Sequence, residues 1–201
     1  MRCLRRIFIS YAKHTLPFSF HLYKMQLFAH CMKIFLFPTE MEAEPFMELC
    51  PDACVIISGV GMAATAATIS KLCASHSISS ESVVILAGLA GAYDAMSAKG
   101  DVVEVVEERC AELPERFQQR YTVQPYTSLR AVRSNSVHGK GVEACGADLE
   151  NMEGAALFAM AEVLGFRAVE LRAISNYVGE PFKDWNVDNA LGALAKELKS
   201  I

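Results

Sequence analysis

A chain of 201 residues, 52% of them hydrophobic and carrying a formal charge of −4, is long enough for one globular domain with a sizeable core, and excludes a disordered or fibrous protein. The mild acidity and the scatter of Lys and Arg leave no basic stripe of the kind that grips nucleic acid, so a small-molecule partner is expected. The seven cysteines lie without a repeated CxxC spacing or clustered histidines, and read as reduced, mostly buried thiols of a cytoplasmic protein rather than as metal ligands.

In chain order, residues 1–31 come first, basic and aromatic-rich with no helical or strand period. Their apolar stretches are broken by Lys13-His14-Thr15 and Lys24, no small-residue cleavage site follows, and no run approaches a membrane span. They are expected to be a disordered leader or a mis-assigned start, with the domain proper at 32–201. From Met32 onward, short apolar β-branched runs alternate with alanine-rich stretches, which predicts βαβ units and a largely parallel, covered sheet. The expected strands are 33–37, 54–58, 83–87, 101–107, 128–136 and 168–174. Helices are expected at 63–74, 152–164 and 188–199.

Gly59-Val60-Gly61 and Gly88-Leu89-Ala90-Gly91 each follow an expected strand, where glycine lets backbone N–H groups approach a ligand. Ordinary turn chemistry explains either one as readily. Neither completes a dinucleotide fingerprint or a phosphate loop, which argues against NAD and ATP.

Taken in order, Met32-Lys33-Ile34 through Glu44, Ser58-Gly59-Val60-Gly61, Ala87-Gly88-Leu89-Ala90-Gly91, Lys99-Gly100-Asp101-Val102-Val103, Glu150-Asn151-Met152-Glu153-Gly154-Ala155-Ala156 and Arg172-Ala173-Ile174-Ser175-Asn176 resemble the landmarks of the purine nucleoside phosphorylase and nucleosidase superfamily. The resemblance covers nearly everything after residue 31. Within it, Ala111-Glu112-Leu113, Asn135-Ser136-Val137-His138-Gly139, Ile174-Ser175-Asn176-Tyr177-Val178 and Trp185 look most like the futalosine hydrolases of menaquinone biosynthesis. That resemblance implies an α/β fold of three αβα layers with a twisted mixed, partly barrel-like sheet. It also implies a homo-oligomer, no cofactor, no metal and no membrane.

It further implies the roles of individual residues. Glu153 would hold the ribose hydroxyls, whose bonds tighten as an oxocarbenium-like charge builds, with Met152 against the sugar face. A plain acidic first turn of a helix is the competing reading of Glu150 and Glu153. The water-handling carboxylate would come from Glu40, Glu42 or Glu44. The spacing from Thr39 and the Ala43-Glu44 pair favour Glu44, with Glu42 as the fallback, although an acidic helix start suits this run too. Gly61, Ala90, Gly91, Val137 and Ser175 are expected to line the nucleoside. Val137 would offer the base an apolar contact or backbone hydrogen bonds.

Asn176 is the most informative letter, because nucleosidases of 6-aminopurines carry Asp there. An amide donates to purine N7 and also meets a 6-oxo acceptor, which favours a hypoxanthine-like base. Donation to N7 stabilises the leaving base. His138 and Arg172 read either as ligand contacts or as satisfied polar groups of the core. The early loops are acidic and residues 87–93 carry no basic side chain, so a phosphate dianion would be repelled and water is the expected nucleophile. The alternatives are a methylthioadenosine/S-adenosylhomocysteine nucleosidase, a 6-oxopurine phosphorylase, or a nucleoside-binding protein without turnover.

Overall fold

The computed structural model describes residues 33–139 and 142–201, so the expected leader lies outside the described residues. Eight strands, β1 (Lys33–Phe37), β2 (Val55–Ile57), β3 (Val83–Ala92), β4 (Val102–Cys110), β5 (Arg120–Thr122), β6 (Ala131–Ser136), β7 (Leu149–Asn151) and β8 (Arg167–Tyr177), form one mixed sheet. Four helices cover it: α1 (Glu40–Leu49), α2 (Met62–Ala74), α3 (Gly154–Leu164) and α4 (Val187–Ser200).

The sheet is partly closed. β3 pairs with β8, β8 with β4, β4 with β6, β6 with β7, and β7 returns to β3. β1 and β2 extend this ring outward from the first half of β3 as a parallel flap. Alternation along the strands sends side chains to two cores. Ile34, Leu36, Val84 and Leu86 pack with Ile69, Leu72 and Leu157 under α2 and α3. Phe35, Phe37, Ile85, Val169 and Leu171 pack with Phe46, Leu191 and Leu194 under α1 and α4. A helix layer on each face of the sheet is the expected three-layer architecture.

Several elements depart from expectation. β3 continues through Gly88-Leu89-Ala90-Gly91 instead of ending before a glycine loop, because β8 supplies a ladder partner along its whole length. β7 and β5 were not expected, and each is a three-residue strand defined by its neighbours. α3 begins at Gly154 rather than 152, because Asn151 turns the chain there: its Oδ1 accepts from the backbone N–H of Glu153 and of Gly154, each at 2.8 Å.

Candidate active site

The last residues of β3 form the spine of the site. The Leu89 N–H donates to Glu42 Oε1 at 3.0 Å, and the Leu89 carbonyl accepts from Arg172 Nη1 at 3.3 Å. Gly88 makes this approach feasible: a Cβ there would lie 2.9 Å from Glu42 Oε1 and 2.8 Å from Arg172 Nη1. Glu42 is brought in by its own helix start. Thr39 caps α1, its Oγ1 accepting from the Glu42 N–H at 3.2 Å and donating to Glu42 Oε2 at 2.6 Å. The Thr39-x-x-Glu42 spacing is that of a capping box, and it fixes a buried carboxylate beside the backbone of β3.

Arg172, which holds the Leu89 carbonyl, leads from this carboxylate to the next. Its Nη2 donates to Glu153 Oε2 at 3.2 Å and to Asn151 Oδ1 at 2.9 Å, and its Nε donates to Glu170 Oε1 at 2.8 Å. The guanidinium is 1% exposed, a depth at which an unpaired charge is prohibitive. Burial alone would lower its pKa, but Glu170 and Glu153 outweigh that and raise it. Glu153 Oε1 accepts from the Gly61 N–H at 2.9 Å. Gly61 sits at φ +93° and ψ 159°, backbone that only glycine adopts freely. The first glycine segment therefore serves by its conformation, the second by its lack of a side chain.

Asn176 marks an uncharged end. Gly91 and Ala90 pair with Asn176 and Ile174, so Ser175 is an extra residue that bulges β8; such bulges re-aim side chains. The Ser175 hydroxyl donates to Asn176 Oδ1 at 2.7 Å, and Asn176 Nδ2 donates to the Tyr177 carbonyl at 3.0 Å. One amide hydrogen remains. Gly91 leaves room for it, since a Cβ there would lie 3.0 Å from Nδ2. Ala90 and Ser175 are buried at this end and Val137 is buried after β6, while Met152 is partly exposed.

Of the residues expected from the sequence, Gly61, Ala90, Gly91, Met152, Glu153, Ser175 and Asn176 fall along this constellation. Glu44 does not. It is exposed on α1, because residues two apart on a helix point to opposite sides; the fallback, Glu42, occupies the site. Val137 spends its N–H on the Asn151 carbonyl at 2.8 Å, which leaves its side chain for apolar contact. Of the two ambiguous residues, Arg172 is central, whereas His138 lies outside in an exposed pair with Glu112 Oε2 at 2.7 Å. Asn151, Glu170 and Glu108 were not singled out. Only Asn151 had a signal, as a helix-capping type just before an apolar run.

Among the described residues no three His, Cys, Asp or Glu side chains gather as a metal site, and no helix is long and apolar enough to cross a membrane. A groove of about 750 Å³ between β5 and α3, lined by Tyr121, Val123, Phe158 and Phe166 among others, shares none of the residues above.

No family model matches the chain. It is 30% identical to the futalosine hydrolase of Thermus thermophilus, over 85% of this chain and 95% of that protein. Among solved structures, it superposes on a 5′-methylthioadenosine/S-adenosylhomocysteine nucleosidase from Helicobacter pylori with a TM-score of 0.73 at 15% identity, over 85% of this chain and 97% of that one. A futalosine hydrolase mutant from Helicobacter pylori gives 0.70 at 16% identity, over 84% and 97%. These two show a shared fold.

Proposed function

The chain belongs to the futalosine hydrolase family, and from that premise we propose that it is an N-glycosidase that hydrolyses futalosine to hypoxanthine and dehypoxanthinylfutalosine in menaquinone biosynthesis. The observation that carries the reading is the buried cluster in which Arg172 pairs with Glu153 and holds the carbonyl of Leu89, whose N–H donates to Glu42. Glu42 orients and deprotonates water, held in place by Thr39 and the Leu89 N–H. Glu153 accepts from the ribose hydroxyls and favours the cationic transition state, with Met152 against the sugar. Asn176 donates its remaining amide hydrogen to purine N7 as the base departs.

The nucleophile is water rather than phosphate. Arg172 is the one basic side chain of the constellation among the described residues, and Glu170, Glu153, Asn151 and the Leu89 carbonyl already engage it. A phosphate dianion would meet two carboxylates and no free cation.

Cys50, Cys73, Cys110 and Cys145 carry free thiols, which suits a reducing cytoplasm. The family resemblance supports a homo-oligomer, to be measured by light scattering. The deciding assay incubates the protein with futalosine, methylthioadenosine and inosine, each with and without phosphate, and identifies the free base by chromatography. Phosphate-independent hypoxanthine release from futalosine is expected. Adenine release alone, phosphate-dependent turnover, or binding without base release would each overturn the proposal.

A further inference from the structure

Behind Arg172 lie two glutamates that the chemistry above does not use. Glu108 on β4 and Glu170 on β8 are both fully buried, on strands that pair directly at Val105 and Glu170. Their carboxyls converge beneath Gly154, the first residue of α3. A Cβ at that glycine would lie 2.4 Å from Glu108 Oε1, 2.4 Å from Glu170 Oε2 and 2.6 Å from Glu170 Oε1. Only glycine fits above the pair.

The donors around them are accounted for. Ser136 Oγ donates to Glu108 Oε2 at 2.8 Å, and Asn151 Nδ2 donates to Glu108 Oε1. Arg172 Nε donates to Glu170 Oε1. Glu170 Oε2 is buried and has no donor, a costly omission for a carboxyl oxygen away from water. The oxygen that shares its approach to Gly154 is Glu108 Oε1, and a protonated Glu108 has a hydrogen to give.

We propose that Glu108 and Glu170 share a single proton, held between Glu108 Oε1 and Glu170 Oε2, and that this singly charged pair positions Arg172 and, through it, Glu153 and Glu42 for nucleoside hydrolysis. Two like charges this close do not both ionise readily. Burial, then the charge of Glu170, pushes Glu108 up to about 8. Burial also raises Glu170, against the opposing pull of Arg172. The other charged groups facing the pair are Arg172 from β8, Glu153 at the start of α3 and, across Arg172, Glu42 from α1. β6 and β7 contribute only uncharged Ser134, Ser136 and Asn151. With one proton in place, one negative charge faces the guanidinium from behind. Its remaining donors are then directed to Glu153, Asn151 and the Leu89 carbonyl. A second ionisation would compete with Glu153 for the same cation.

This inference rests on the hydrolase reading for its consequence, but its direct test needs no turnover. Infrared spectra of the wild type at pH 7 are expected to show a protonated buried carboxyl band that shifts in D₂O and is lost as the pH rises through about 8. Glu108→Gln should lack the band. No such band in the wild type would overturn the proposal, whether or not the variant folds. Kinetically, raising the pH from 7 to 9 should lower wild-type kcat/KM roughly tenfold, and that alkaline loss should shrink to less than about twofold in Glu108→Gln. Identical alkaline limbs would remove the positioning role, since a merely structural pair would change stability without moving the profile. The band present in a protein that releases no base would count against the hydrolase reading alone. Stability follows the same sign: a carboxyl raised in the fold from 4.5 to about 8 stabilises fully below 4.5, and that contribution is lost as the pH rises through about 8.

Discussion

The two ends of the constellation are built on opposite principles. Around Arg172, carboxylates from β8 and the start of α3 pair with one guanidinium that is 1% exposed, and the α1 carboxylate faces it across the Leu89 peptide, so each group is held by the charge of another. Around Asn176, a neutral amide is aimed by a β-bulge and one serine hydroxyl. The charged end cannot lose a member without leaving an uncompensated ion in the interior, whereas the neutral end can be altered at the cost of one hydrogen bond. On the proposed roles of these residues, reaction type is written where substitution is least tolerated, and base preference where it is most tolerated.

Breaking the charged end tests this contrast hardest. Arg172→Met should cost about 3–5 kcal/mol in urea denaturation and abolish base release, because Glu170 and Glu153 lose their common partner. A stable, active variant would show that the carboxylates do not depend on that cation. Glu42→Gln keeps the shape and is expected to lower kcat by about 10²–10⁴ with KM changed only a few-fold, measured by initial rates of hypoxanthine release. At the neutral end, Asn176→Asp should reverse a preference rather than destroy activity. The kcat/KM ratio of 6-oxopurine to 6-aminopurine nucleosides should fall by about 10²-fold or more, with the melting temperature little moved. An unchanged ratio would place base selection elsewhere. Glu44→Gln is the control for the helix geometry: rates within about twofold and stability within about 0.5 kcal/mol of wild type, as for an exposed surface change.

Much of this is legible in the sequence, for physical reasons that vary along the chain. β1 was legible end to end, because a buried apolar run stops at Pro38 and the capping Thr39. β7 was not, since Glu150 and Asn151 carry no apolar alternation and become strand only by bridging β3 and β6. The carboxylate of α1 shows how close the two cases lie. The spacing from Thr39 and the Ala43-Glu44 pair favour Glu44, yet the Thr39-x-x-Glu42 spacing of a capping box marks the residue that turns inward. The landmark segments point to Glu153 and Asn176, but the bulge that aims Asn176 depends on the register of β3 against β8. The Glu108–Glu170 pair was illegible for a like reason, as it exists only where β4 runs beside β8.

The pairing of β3 with β8 has a further consequence for how the molecule is made. Val83 meets Arg167 at one end of the ladder and Ala92 meets Tyr177 at the other, so the ring closes only after β8, more than seventy residues beyond β3, has left the ribosome. Until then Glu42 and the β3 backbone wait without Arg172, and the nascent chain holds a half-built interior with acidic groups and no counter-ion. Such distant parallel contacts form slowly. Capacity for turnover should thus arrive in one step that follows the synthesis of β8, when it enters between two strands already formed.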